Sequence, residues 1–271
     1  MENGSADQSL DFYLEFLNGY SFRAAVNAML MVREFVELLI DSKTSMFHQH
    51  TDDDALTVRF TILQRSRLTA YYCIDSRQLQ VFDSKSFLDA VKSCKKLGNI
   101  VLFKYGKLPH SFVKIANGAS SEDVMPISPP DPPTRSQTTI MPLDHLALER
   151  YYVTTLPLAE FCKGCAPLAQ SGAQFVTLQV YYDGVKMDAT PPRGPPHSPK
   201  FGRCMDSQRR LDNFRVPISI IKALAKSSNM ATPGVVIFYV EDDNQTIHIV
   251  IPVGVYAEFS YTVRDLKRIT P

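Results

Sequence analysis

Apolar and polar residues recur with two different periods along the chain, and these periods predict short strands interspersed with helices. In the first half, apolar residues return every three or four positions over Ser21–Ile40 and over Ser84–Leu97, which predicts two amphipathic helices. Alternation with a period of two predicts strands instead. In this half the predicted strands lie at 55–64, 68–74, 78–82, 99–105 and 111–116.

The second half repeats this order of elements. Helices are predicted at Pro157–Gln170 and Pro217–Asn229, where proline suits the first turn. The strands predicted around them lie at 151–155, 175–182, 185–189, 235–241, 246–252 and 257–263. Ser86–Tyr105 and Pro217–Val240 match best, since each is a helix with lysines on one side, a short break and a hydrophobic strand. A shared order at half-chain spacing predicts a duplicated unit.

Two proline-rich segments divide the chain further. Eleven of the 18 prolines fall within Pro126–Pro142 and Thr190–Lys200, and such segments hold neither a helix nor a central strand. We predict an N-terminal extension, a first domain, a proline-rich segment with an interdomain connector, and a second domain with a proline-rich insertion at 190–200. Their bounds are 1–11, 12–120, 121–150 and 151–271.

The composition is that of an ordinary globular chain with no overall electrostatic attraction for nucleic acid. The 271 residues include 29 Lys and Arg, 28 Asp and Glu, and 45% hydrophobic residues. The first residues lack the pattern of a secretory signal, and the most apolar stretch, Ala24–Ile40, carries Arg33, Glu34 and Glu37. We therefore expect a soluble intracellular protein without a membrane partner. Its five cysteines are expected to remain reduced.

Lysines gather on one face of two predicted helices. Lys85, Lys92 and Lys96 project together from the second helix, and Lys222 and Lys226 are one turn apart on the fourth. An ordinary solvated helix face would produce the same pattern. The alternative is a surface that follows a phosphate backbone without reading bases, and its recurrence on two helices favours it.

Other candidate sites are weaker. Cys162 and Cys165 have the spacing of a zinc or redox pair, but they lie in an amphipathic segment and are expected to be core or surface cysteines. His48, His50 and Asp52–Asp54 are expected to form a polar loop before a strand. The chain carries no P-loop, nucleophile elbow, dinucleotide fingerprint or zinc-protease motif. We expect neither an enzyme nor a cofactor nor a bound metal.

These elements, taken in order, resemble the sliding clamps of the proliferating-cell-nuclear-antigen (PCNA) type, viral versions included, from about Phe12 to Val263. The helix Pro157–Gly172 and the strand, Asp-Gly-Val turn and strand of Phe175–Ala189 are similar to elements of that family's second domain. Met141–Glu149 is similar to its hydrophobic interdomain connector. Two further segments, FLDAVKSCKKLGNIVLF and EFSYTV, complete the match.

The resemblance implies an α+β DNA clamp fold of two similar domains, with antiparallel sheets outside and helices lining a central hole. Three such chains usually form a ring, and the ring binds duplex DNA through phosphates, without sequence preference. It performs no chemistry but tethers a DNA polymerase, and a clamp loader is a possible further partner. The residues that would face the DNA are Lys85, Lys92, Lys96, Lys222, Lys226, Arg23 and Lys163.

The resemblance also implies a pocket for short hydrophobic peptides of partner proteins. Its lining would be Leu143, Leu146, Leu148, Pro233, Tyr261 and Val263. The connector is shorter than usual, His50 stands where a large apolar residue is usual, and the tail is RDLKRITP, which points to a divergent or viral clamp. Such a protein would act in the nucleus, or at the site of viral DNA replication. The alternatives are a subunit of a heterotrimeric checkpoint clamp, a non-enzymatic interaction scaffold and a zinc-binding module.

Charge is unevenly distributed between the predicted helices and the remaining chain. The four helices, counted with Asp41 and Met230, carry nine Lys and Arg against five Asp and Glu, which leaves a net charge of −3 elsewhere. The first helix has a net charge of −1, so the predicted inner surface is unevenly positive.

Overall fold

The elements of the first half alternate short strands with two helices. The structure is a computed structural model that describes residues 10–16, 18–32, 34–41, 45–50, 56–62, 71–73, 77–92, 100–105, 113–117, 120–124, 152–203, 210–231, 234–241, 245–254 and 257–264. The order is β1 (Leu10–Phe16), α1 (Gly19–Met29), β2 (Phe35–Asp41), β3 (Ser45–His50), β4 (Leu56–Ile62), β5 (Tyr71–Cys73), β6 (Arg77–Asp83), α2 (Ser84–Val91), β7 (Ile100–Tyr105), β8 (Val113–Asn117) and β9 (Ser120–Val124).

The second half follows the same plan. Its elements are β10 (Tyr152–Pro157), α3 (Leu158–Gln170), β11 (Phe175–Tyr181), β12 (Asp183–Asp188), β13 (Lys200–Arg203), β14 (Arg210–Pro217), α4 (Ile218–Lys226), β15 (Val235–Val240), β16 (Thr246–Val253) and β17 (Ala257–Arg264). A 3₁₀ turn, Ser227–Asn229, extends α4.

Strand pairing shows that the two halves repeat one topology. In the first half β1 pairs with β7, β7 with β8 and β8 with β9, and in the second half β10, β15, β16 and β17 pair in the same succession. The strands β6-β2-β3-β4 are matched in the same way by β14-β11-β12-β13. All these pairs are antiparallel. The predicted repetition of the element order is confirmed, while the predicted domain bounds stay predictions.

One sheet crosses from the first half to the second. β17 pairs with β4 in antiparallel register from Ala257 opposite Ile62 to Val263 opposite Leu56, which creates an eight-stranded sheet. Buried residues of both halves form one hydrophobic cluster beneath it. Ring pairs such as Phe60–Phe259, with centroids 6.3 Å apart, join the two halves within this core.

The helices pack against one another as a continuous layer. α1 contacts α2 within the first half, α3 contacts α4 within the second, and α1 contacts α4 across the two halves. We call α1–α4 the helix layer. Its buried face packs on the sheets, so the opposite face carries the polar residues of all four helices.

The prediction of a helix over Ser21–Ile40 is wrong beyond Met29. α1 ends there, and Phe35–Asp41 forms β2, which is hydrogen-bonded to β3 on one side and to β6 on the other. The apolar run of this segment fits a helix and a buried strand equally well. Pairing along both edges decides for the strand, because Val36 and Leu38 then enter the core.

Several strands lie where the sequence predicted loops or nothing regular. β3 includes His48 and His50, so the polar-loop prediction is wrong for them, and Asp52–Asp54 lie outside the described residues. β1 begins within the predicted N-terminal extension, and β9 ends at Val124. β13 and β14 were also not predicted. These strands are short or polar, so local alternation of apolar and polar residues does not predict them. Pairing with neighbouring strands stabilises them instead.

Candidate nucleic-acid interface

The helix layer is built by short helices whose first turns are fixed locally. In α2 the Asp83 carboxylate accepts a hydrogen bond from the Ser86 amide at 2.8 Å, and in α1 the Asn18 side chain accepts one from the Ser21 amide at 3.0 Å. The side-chain and backbone hydrogen bonds of Ser86 hold the pKa of Asp83 below its usual value. Both contacts satisfy amides that a helix start leaves without an internal partner.

Lysine side chains stand on the exposed face of this layer. Lys85, Lys92, Lys163, Lys222 and Lys226 are exposed, and Lys222 and Lys226 lie one turn apart on α4. Arg23 on α1 is half-buried. Lys96 lies outside the described residues.

The helix layer carries more positive charge than negative. Within their observed bounds the four helices hold five Lys and Arg against two Asp and Glu, a net charge of +3. The predicted net charge of −1 for the first helix is wrong, because Glu34, Glu37 and Asp41 lie beyond the end of α1. α1 itself contributes +1 through Arg23.

Arg23 joins two helices of the layer. Its Nη1 donates to the carbonyl oxygen of Lys92, the residue that ends α2, at 2.7 Å, and its guanidinium lies 5.2 Å from the centre of the Tyr20 ring. A cation at a helix C-terminus is favourable because the last carbonyls carry partial negative charge. Arg23 therefore holds α1 against α2 in addition to adding positive charge.

Two contacts that lysines of the helix layer make within the protein are weak. Lys92 lies 3.7 Å from Asp89, but both side chains are more than half exposed, at 74% and 57%, so solvent screens this pair. Lys226 Nζ is 3.9 Å from Met31 Sδ, which links α4 to the segment after α1. Ammonium groups on flexible stems donate hydrogen bonds and accept none, which suits contacts to phosphate oxygens.

Two residues predicted for the peptide pocket lie in the core. Side chains alternate along β17, and Tyr261 and Val263 are on the face that packs beneath the helices, exposed by 0% and 1%. Burial raises the pKa of Tyr261 well above its usual value. As folded, these two side chains offer no surface to a peptide. Leu143, Leu146, Leu148 and Pro233 lie outside the described residues, and their role stays a prediction.

The cysteine pair also belongs to the core. Cys162 and Cys165 lie on the buried face of α3 as free thiols. Burial raises the pKa of Cys162 to about 12 and raises that of Cys165 as well. A metal ligand or redox nucleophile requires the thiolate, which this environment disfavours. Within the described ranges, no three His, Cys, Asp or Glu side chains are grouped so as to hold a metal ion, and no helix has the length and apolar character needed to span a membrane.

Two strand edges are related by the internal repeat, and the sequence alone did not single them out. β9 and β13 are the counterparts of β17 and β4, which pair with each other inside the chain. Both end a sheet in the part of the chain that the structure describes. β9 has the sequence Ser-Ser-Glu-Asp-Val and β13 has Lys-Phe-Gly-Arg, so their charges are opposite.

Similarity to known proteins is found at the level of structure. No family model matches the sequence, and no curated protein sequence does. The fold is similar to PCNA from Entamoeba histolytica, with a TM-score of 0.71, 10% identity, and coverage of 94% of this chain and 99% of that chain. It is similar to PCNA from Thermococcus kodakaraensis, with a TM-score of 0.67, 14% identity, and coverage of 93% and 99%.

A third similar structure contains two different subunits. It is the PCNA2–PCNA3 complex from Sulfolobus tokodaii, with a TM-score of 0.67, 9% identity, and coverage of 93% of this chain and 98% of that chain. The chain therefore has the α+β fold of a PCNA-type sliding clamp, and the identities mark it as divergent.

Proposed function

We propose that this protein is a sliding clamp that encircles duplex DNA and tethers a DNA polymerase. The observation that carries the proposal is the helix layer, which presents a net charge of +3 from one face of a clamp fold. Its lysines contact phosphates without sequence preference, so the ring slides freely along the duplex. The protein makes and breaks no covalent bonds, and its contribution is to keep the polymerase at high effective concentration near its template.

Ring closure would repeat the joint that the chain already contains. Within the chain β17 and β4 pair across the two halves. We infer that β9 of one copy pairs in the same way with β13 of the next, since the repeat makes these strands equivalent to β17 and β4. Glu122 and Asp123 on β9 then approach the strand that carries Lys200 and Arg203. Such a contact is heterologous and closes into a ring when the rotation fits.

Three copies of this chain, with two similar halves each, would form the proposed ring. Its partners would be the polymerase and other replication proteins, which dock short hydrophobic peptides near Leu143, Leu146 and Leu148, and a loader that opens the ring. The site of action would be the nucleus or a viral replication site. A heteromeric ring is the second candidate, favoured by the similarity to a complex of two different subunits.

Light scattering during size-exclusion chromatography distinguishes these assemblies. If the purified chain forms the proposed ring, light scattering should give three times the mass of one chain. A subunit of a heteromeric ring should have the mass of a monomer. The double variant Lys200→Glu with Arg203→Glu should lower the mass. Adding Glu122→Lys with Asp123→Lys should restore it, and failure of that restoration would argue against the β9–β13 contact.

Encirclement is tested separately from assembly. A ring should remain on nicked circular DNA at high salt and slide off the same DNA once it is cut to a linear form. Polymerase products on a primed circular template should lengthen when the chain is present. Equal retention on circular and linear DNA would contradict encirclement.

A further inference from the structure

The loop between β12 and β13 combines exposure with a distinctive sequence. Residues 190–199 read Thr-Pro-Pro-Arg-Gly-Pro-Pro-His-Ser-Pro, and they contain two hydroxyl residues that are each followed by proline. Thr190 and Ser198 are both exposed. Proline restricts the residue before it to extended conformations. An exposed hydroxyl in an extended segment directly before proline is the substrate pattern of proline-directed protein kinases.

Ser198 also takes part in the contacts that close this hairpin. Its Oγ donates to Oδ1 of Asp188 at the end of β12. The other carboxylate oxygen of Asp188 lies 2.9 Å from Lys186 Nζ and accepts a hydrogen bond from Gln179 Nε2 at 3.1 Å. Asp188 therefore gathers three donors, and one of them is the Ser198 hydroxyl.

Backbone hydrogen bonds beside Ser198 continue the β12–β13 ladder. Ala189 and His197 exchange two of them, at 2.9 and 3.0 Å, and the Met187 amide donates to the Pro199 carbonyl at 3.0 Å. β13 follows directly at Lys200. A change at Ser198 therefore acts at the base of the strand to which we assign ring closure.

We propose that Ser198 is a phosphorylation site for a proline-directed serine/threonine kinase, and that its phosphate loosens β13 and so opposes ring assembly. The Ser198 oxygen forms a bond to the γ-phosphorus of ATP, the bond from that phosphorus to the bridging oxygen breaks, and ADP leaves with the electron pair. The hydroxyl proton passes to the carboxylate base of the kinase. The assembly part of this proposal rests on the proposed function.

The effect follows from exchanging a donor for an anion. The Ser198 hydroxyl donates to Asp188, whereas a phosphoserine carries about −1.5 to −2 charges at pH 7 and repels a neighbouring carboxylate. Lys186 already pairs with Asp188, so one ammonium would have to serve two anionic groups.

Thr190 provides a matched comparison within the same loop. It precedes Pro191 and has Arg193 three residues later, so the kinase should recognise it too. Thr190 lies in the loop beyond the Ala189–His197 bridge, whereas Ser198 donates to Asp188 beside β13. Phosphorylation of Thr190 should therefore leave β13 paired.

The experiment treats the full chain with a purified proline-directed kinase and ATP. The wild type, Ser198→Ala and Thr190→Ala are compared by mass spectrometry for phosphate position, by hydrogen exchange over 183–203, and by light scattering for mass. Phosphate at Ser198 should speed amide exchange in β12 and β13 by about tenfold or more and should lower the oligomer mass. Ser198→Ala should block both effects, and Thr190→Ala should retain them.

Two results would overturn the proposal. One is the absence of phosphate at Ser198 under conditions in which a control Ser-Pro peptide is fully modified. The other is phosphate at Ser198 with unchanged exchange in β12 and β13. If the unmodified chain is already monomeric, the proposed ring of three identical chains fails, while the exchange measurement still decides the effect of the phosphate on β13.

Discussion

Gly164 on α3 is the position where a single added methyl group most directly tests how β13 is held. A Cβ at this position would lie 2.1 Å from Cζ and 2.5 Å from Cε1 of Phe201, whose ring packs 5.1 Å from that of Phe161. Phe201 is buried and belongs to β13. The absence of a side chain at Gly164 therefore allows β13 to dock beneath α3.

The expected cost of Gly164→Ala combines two opposing effects. Overpacking of this kind destabilises by about 1–3 kcal/mol, because a rigid ring has to shift. Replacing glycine by alanine inside a helix returns about 1 kcal/mol. We therefore expect a net loss of roughly 0–2 kcal/mol in the free energy of unfolding, measured by urea denaturation. The oligomer mass at low protein concentration should fall as β13 moves.

A change of sign makes this prediction sharp. Phe201→Val removes the ring atoms that clash and keeps a residue suited to a strand. In that background Gly164→Ala should become stabilising by about 1 kcal/mol, since only the helix preference remains. If Gly164→Ala has the same effect with and without the Phe201 ring, the packing argument is wrong.

Three further predictions concern other parts of the molecule. Lys222→Gln with Lys226→Gln should weaken DNA association in filter binding and reduce the slope of log affinity against log salt by about 2, since each phosphate contact contributes about 0.9; an unchanged slope would place these lysines away from DNA. The hydrogen bond between His248 Nε2 and Glu241 Oε1, at 2.7 Å, lowers the pKa of Glu241, so this carboxylate stabilises the fold above its unfolded pKa and ceases to do so as the pH falls through the lower folded pKa. His248→Ala should therefore flatten the loss of stability in acid, and an identical pH profile of the variant would contradict this. Cys162 should react with a thiol reagent only after denaturation, because it is buried and its pKa is about 12, and rapid labelling of the native chain would show that α3 opens.

The second half of the fold was predictable from local patterns to a large extent. α3 begins at Leu158 and ends at Gln170, within one residue of the predicted bounds, because its apolar residues keep one period over thirteen residues. The first half misled at β2, since a short apolar run fits either a helix or a buried strand. The charge expected for the candidate DNA surface was wrong for the same reason, because the acidic residues after Met29 do not belong to the helix layer.

The candidate site divides in a similar way. Lysines at helical spacing placed Lys222 and Lys226 together on α4, and the structure keeps both exposed. The resemblance to sliding clamps implies a pocket role for Tyr261 and Val263, but it does not specify which side of a strand faces solvent. β17 turns both of them toward the core. The link between Arg23 and α2 likewise depends on the tertiary structure, because its hydrogen-bond partner, Lys92, is 69 residues away along the chain.

The sequence by itself determined the repeated order of strands and helices, the amphipathic faces and the positions of the lysines, because each depends on residues that are near one another along the chain. Only the tertiary structure decided that β17 pairs with β4, that α1 lies against α4, and that β9 and β13, their counterparts in the repeat, each end a sheet among the described strands. Strand pairing joins backbone N–H and C=O groups that are far apart in sequence. Because these groups are the same in nearly every residue, they do not identify the strand with which they pair. Which edges meet is therefore settled by the burial of the whole core.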